Sequence, residues 1–189
     1  MERKIKFLLF LLVCNFTLLA QDDKPIMKGN YLIGGYSNVK YENYDNQKQF
    51  IASFTPSVGY FISNNLVIGL SPSFGIAFSE KGESISKTRA YIYGIGPFVK
   101  YYFNKGPFLK MSSFYSDAIN KYPDFPEDNH HSTSFSLSPG IGYAYFINKK
   151  VSFETELSYS YAVYKTSDSF GSTIKSKELS LSFGFQIFL

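Results

Sequence analysis

Residues Glu178-Leu-Ser-Leu-Ser-Phe-Gly-Phe-Gln-Ile-Phe-Leu189 alternate almost without fault. Leu179, Leu181, Phe183, Phe185, Ile187 and Leu189 share one parity; Glu178, Ser180, Ser182, Gly184 and Gln186 share the other, with Phe188 the exception. A period of two is the signature of a β-strand, whose successive side chains point to opposite faces. The composition of the second face decides the kind of sheet. A water-facing strand would carry Lys, Glu and Thr there, whereas Ser and Gly suit the crowded interior of an eight-stranded barrel. Large apolar residues then form a wall against lipid. A β-sandwich or a lipocalin-type carrier also alternates, but packs its apolar face inward, and it is the competing soluble reading.

The same pattern recurs upstream. Phe135, Leu137, Ile141, Tyr143 and Tyr145 alternate with Ser134, Ser136, Ser138, Gly140 and Gly142. Val151, Phe153, Leu157, Tyr159, Tyr161 and Val163 alternate with Ser152, Glu154, Glu156, Ser158 and Ser160. Leu66, Ile68, Leu70, Phe74, Ile76 and Phe78 alternate with Val67, Gly69, Ser71, Ser73, Gly75 and Ala77. In all, eight alternating segments are expected, at 29–40, 48–62, 66–79, 88–103, 107–117, 132–147, 151–164 and 174–189. Most exceed the ~5–6 residues of an average soluble strand and match the ~9–11 that cross a bilayer at a tilt.

Three stretches repeat at a spacing of about forty residues: Pro56–Asn65, Pro97–Gly106 and Pro139–Lys150. Each runs from a proline through aromatics into a tight polar turn, at 63–65, 104–106 and 148–150, and a new strand follows directly. The intervening connections, 41–47, 80–87, 118–131 and 165–173, are longer and polar. Short turns on one side and long loops on the other are the habit of outer-membrane barrels, with the short side periplasmic. Aromatics near both strand ends fit two interfacial girdles. Pro56, Pro72, Pro97 and Pro139 fall inside strands, where a missing N–H predicts local bulges or bends.

The chain of 189 residues is rich in aromatics, 19%, and poor in charge, 18%. Its net charge of +4 comes without a basic run, so nucleic acid is not indicated. Residues 1–20 read as a signal peptide: a basic head, then an uncharged run from Phe7 to Ala20, too short for the ~20 residues of a membrane helix. Residues 21–28 form a short periplasmic segment and 29–189 the barrel. Cys14, the sole cysteine, leaves with the leader; Val13 before it is not the small residue that lipoprotein acylation needs. The mature chain then has no disulfide and no cysteine-bound metal.

The signal peptide, the repeated strands ending in Asn turns and the ending Leu179–Leu189 resemble the small outer-membrane β-barrels of Gram-negative bacteria, the OmpA-like transmembrane class, most closely those of the Bacteroidota. The resemblance implies an all-β, eight-stranded antiparallel up-and-down transmembrane barrel in the cell outer membrane. It implies that Phe183, Phe185, Ile187, Phe188 and Leu189 serve as the C-terminal signal read by the barrel assembly machinery. Family members usually close on an aromatic residue, whereas here Phe188 is penultimate. Proteins of this class serve as anchors, adhesins, small pores and enzymes.

Charges on the Ser/Gly parity mark the candidate site. Lys100, Lys110, Glu154, Glu156 and Glu178 are expected to form an ion-pair network in the lumen, with Glu154 and Glu156 facing Lys100 and Lys110, because buried charges must pair. Such a network seals the lumen or, alternatively, gates a narrow pore. The two histidines, His130 and His131, are assigned to the longest loop beside Ser132; the His-x-Ser spacing resembles that of eight-stranded lipid A deacylases, but the flanking residues of that motif are absent, and a solvated loop is the plainer reading. No metal site and no cofactor are expected. The expectation is a monomeric, non-enzymatic barrel with outer-membrane lipid around it and the four long loops free to meet an extracellular ligand.

Overall fold

Aromatic, β-branched and leucine side chains recur on the apolar parity of the segments, and aromatic and β-branched ones pack well on a pleated surface. In the computed structural model they form eight strands: β1 (Tyr31–Tyr44), β2 (Gln47–Ser63), β3 (Leu66–Lys81), β4 (Lys87–Tyr102), β5 (Pro107–Lys121), β6 (His130–Phe146), β7 (Val151–Thr166) and β8 (Thr173–Phe188). The structure describes residues 26–44, 47–81, 87–103, 106–121, 130–166 and 173–189. The expected leader, residues 1–20, lies outside them. Each strand pairs antiparallel with its neighbour in sequence, and β8 closes on β1, giving an eight-stranded up-and-down barrel.

The large apolar side chains look outward. Leu179 is 67% exposed and Phe185 57%, and Phe74, Ile95, Leu109, Phe135 and Ile141 behave alike. A surface of this kind is stable only against hydrocarbon.

The strands run further than the sequence pattern suggests. β1 continues to Tyr44, β5 to Lys121, and β6 begins at His130, so the 41–47 and 118–131 connections are partly strand. Ladder pairs such as Ile119 with His131 and Asn120 with His130 carry the hairpin upward. Backbone pairing does not need apolar side chains, which is why alternation stops before the strand does.

The prolines do not produce bulges. Pro56 and Pro72 face each other across the β2–β3 ladder, which lapses between Phe54–Phe74 and Val58–Leu70 and resumes in the same register. Pro97 lies in a matching lapse of β4–β5, and Pro139 in one of β6–β7. Each keeps its partner on the other side: Gly35 for Pro56, Ile95 for Pro72, Leu70 for Pro97 and Met111 for Pro139. In an antiparallel sheet a residue directs its N–H to one neighbour only, so a proline interrupts one ladder and spares the other. The register shift in β2 falls instead between Phe61 and Ser63, beside the turn.

The short turns have local causes. Asn65 adopts φ 73° and Gly106 φ 104°, both left-handed. The Asn148 side chain accepts from the N–H groups of Lys150 (2.8 Å) and Val151 (2.9 Å).

Candidate functional site in the barrel lumen

The inward parity divides the lumen into two halves of different chemistry. Next to the short turns it is not lined by Ser and Gly, as the alternation suggested, but filled with Leu32, Phe61, Val67, Phe98, Tyr102, Phe108 and Phe188. Phe188, 1% exposed, stands at the centre, with ring centroids 5.4 Å from Phe146, 6.0 Å from Tyr102 and 6.1 Å from Phe61. Its break in parity is thus real: it is a plug residue, while Phe183, Phe185, Ile187 and Leu189 face outward. Small partners make room for the rings. Phe108 pairs with Gly142, where a Cβ would sit 2.3 Å from the ring, and Tyr36 pairs with Gly184, where a Cβ would sit 2.8 Å away.

The segment before β1 covers this plug. Ile26 is buried in it, and its carbonyl accepts from the Asn65 N–H (3.3 Å), while the Lys28 N–H donates to the Asn64 side chain (3.0 Å).

Directly above the plug lies a polar knot. Glu154 (0% exposed) accepts hydrogen bonds from Tyr36 and Lys100 on one oxygen, and from Tyr102 (2.8 Å) and Ser152 (3.4 Å) on the other. Lys100 (1% exposed) donates to the Tyr36 hydroxyl (2.9 Å) and sits 3.9 Å from the Phe108 ring centroid and 4.6 Å from that of Tyr102. One step higher, Lys110 reaches both oxygens of Glu156, at 2.9 and 3.2 Å, and lies 4.4 Å from the Tyr36 ring centroid. Charge is balanced, Glu154 has four donors and Glu156 has the Lys110 ammonium on both oxygens, and aromatic faces take up the remaining ammonium surface. Tyr36 and Tyr102, which tie the knot together, escaped the sequence reading. The signal was present, since Tyr102 shares the parity of Lys100 and Phe98, but without the pairing an aromatic near a turn reads as girdle.

Glu178 does not join this knot. It lies 3.5 Å from Lys40 near the outer mouth, where both side chains are part-exposed. Its strand position is inward, but the barrel's length separates it from Lys100 and Lys110.

Above the knot, hydroxyls line the wall. Ser138 bonds Ser160 (2.6 Å), Ser158 bonds Ser180 (3.0 Å), and Thr55 bonds Ser73 (3.3 Å). His131 and Ser132 belong to β6, not to a loop. His131 is on the outward face with its Nδ1 3.7 Å from Asp117, whereas Ser132 faces inward toward Asn120 (3.5 Å). Successive strand residues point apart, so these two cannot act as base and nucleophile. The His130 side chain lies outside the described residues. Among the described residues no three metal-ligating side chains come together.

A closed eight-stranded cylinder, apolar outside and crossed inside by paired charges, defines a membrane-spanning barrel of the outer-membrane class. The chain matches the family described as outer membrane protein beta-barrel domain over residues 7–186, and it belongs to that family. It is a protein of the outer membrane. The fold is similar to that of Neisserial surface protein A (TM-score 0.54, 20% identity, 85% of this chain and 97% of that one) and of OprG from Pseudomonas aeruginosa (TM-score 0.54, 13% identity, 88% and 99%). No curated protein sequence matches it.

Proposed function

We propose that this is a non-enzymatic, OmpA-like barrel of the Bacteroidota type, with a closed lumen and a structural or surface-interaction role played by its outer rim and long loops. The observation that carries the reading is the Lys100–Glu154 knot stacked on the aromatic plug. An ion crossing the lumen would have to part a fully donor-saturated carboxylate from its ammonium and then pass between the rings of Tyr102, Phe108 and Phe188. Removing one partner of a buried pair costs about 3–5 kcal/mol, which is far above thermal energy. In planar bilayers the protein should give no discrete current steps, and regular steps would overturn the reading. The narrow-pore alternative has one feature in its favour, the hydroxyl-lined outer half.

The ending of β8 fits an assembly signal in which Phe183, Phe185, Ile187 and Leu189 present an outward ridge to the barrel assembly machinery. Phe188 contributes by anchoring the strand inside. Cleavage after Ala20 belongs to the same reading and is checked by N-terminal sequencing of the membrane-inserted chain, which should begin at Gln21.

A further inference from the structure

Lys165, Lys175 and Lys177 are scattered in the sequence but meet on the barrel's outer wall. All three have the outward parity of β7 and β8 and are exposed. Lys165 pairs with Thr173 and Val163 with Lys175, which makes Lys165 and Lys175 diagonal neighbours; Lys177 is the next outward residue along β8, opposite Tyr161. Diagonal neighbours lie about 7–8 Å apart, and same-face neighbours on a strand about 7 Å. Among the described residues none of the three is paired with a carboxylate. Glu178, between Lys177 and Leu179, faces inward and belongs to Lys40.

Their height on the wall is defined. From Leu189 to Leu179 the outward face of β8 is wholly apolar. Ten residues at a rise of about 3.3 Å, tilted about 40°, span about 25 Å, the height of an outer-membrane barrel's apolar band. Lys177 and Lys175 therefore stand where the lipid headgroups of the outer leaflet begin. Directly below them a shallow apolar groove crosses the wall, lined by Leu179, Tyr159, Leu157, Ile141, Pro139 and Met111. The groove runs past Pro139, where the β6–β7 ladder lapses between the Leu137–Tyr161 and Gly140–Ser158 pairs.

Three like charges held this close repel one another unless an anion lies between them. We infer that this face is a docking surface for a phosphate-bearing lipid of the outer leaflet, its phosphates on Lys165, Lys175 and Lys177 and an acyl chain in the groove beneath. The charge selects the headgroup and the groove selects the tail, so neither a soluble anion nor a neutral lipid satisfies both.

The test is a titration of the detergent-purified protein with diphosphorylated lipid A, read by native mass spectrometry. The unmodified protein should retain the lipid. The triple variant Lys165→Ala, Lys175→Ala, Lys177→Ala should need roughly a hundredfold more, at roughly fivefold per lysine. The matching Lys→Arg triple should bind as the unmodified protein does. Dephosphorylated lipid A should bind the unmodified protein as weakly as the Ala triple binds the intact lipid. Removing Lys28, Lys149 and Lys150 from the opposite rim should change nothing. Equal binding by the Ala triple, equal binding of the dephosphorylated lipid, or an equal loss from the opposite-rim variant would each overturn the inference. All these side chains are exposed, and heat-modifiable gel mobility reports that each variant has folded.

Discussion

Glu154 illustrates how a single buried carboxylate organises a lumen. Four donors converge on it, from β1, β4 and its own strand. Removing it leaves the Lys100 ammonium buried without a counter-charge. Glu154→Leu should therefore lower stability by about 3–5 kcal/mol in urea unfolding from lipid vesicles. Adding Lys100→Met should recover most of that loss, because a matched apolar pair removes the unpaired charge. A double variant as unstable as the single one would show that the tyrosine hydroxyls, not the ion pair, set the energy. The sequence showed that Lys100, Lys110, Glu154 and Glu156 have inward parity. Which acid each lysine meets depends on the stagger of β4 and β5 against β7, which no single strand contains. Lys40, the partner of Glu178, was missed for the same reason: it lies across the closing seam between β1 and β8.

Among the strands, outward parity and seam strength matter most. Leu157 and Phe74 project into the apolar band, so Leu157→Arg or Phe74→Arg should cost about 2–4 kcal/mol and reduce the heat-modifiable, membrane-inserted fraction; wild-type insertion would mean the faces are reversed. The seam is unequal along its length. The β1–β8 ladder runs from Leu32–Phe188 to Ser37–Phe183. Beyond it side chains take over, with Asn38 donating to the Leu181 carbonyl (3.0 Å) and Lys40 meeting Glu178. Every other ladder extends to the outer rim. Local opening should follow this difference. Amides of β1 and β8 above the Ser37–Phe183 pair should exchange hydrogen faster than those of β3 and β4 at the same height, and uniform protection would refute this. Strand identity and facing were legible because lipid and lumen impose opposite chemistry on alternate residues. Strand ends were not, because a ladder above the bilayer bonds backbone to backbone and leaves no period in the side chains. Nor were the effects of the prolines, since whether Pro56 interrupts a ladder or forces a bulge depends on which neighbour its missing N–H would have faced.

The whole cylinder has a polarity along its axis: aromatic rings at the short-turn end, the ion-paired knot above them, and hydroxyls from there to the outer mouth. In the sequence the lumen reads as uniform, because serine and glycine outnumber the inward aromatics. Phe98, Tyr102, Phe108 and Phe188 lie on three strands and form a plug only when closure brings them to one level. If the axial order holds, water and small cations enter from outside as far as the knot and stop there. Cys14 is the only cysteine, so a Cys14→Ser background leaves the chain free of thiols. In that background Ser136→Cys, on the part-exposed inner wall of β6, should react with a small charged methanethiosulfonate added outside intact cells. Ala144→Cys, two turns of the pleat past Gly140 and 2% exposed within the plug, should stay unmodified over the same time and react after unfolding in urea. Labelling of Ala144→Cys from outside at the rate of Ser136→Cys would mean that the knot and the rings below it do not close the barrel.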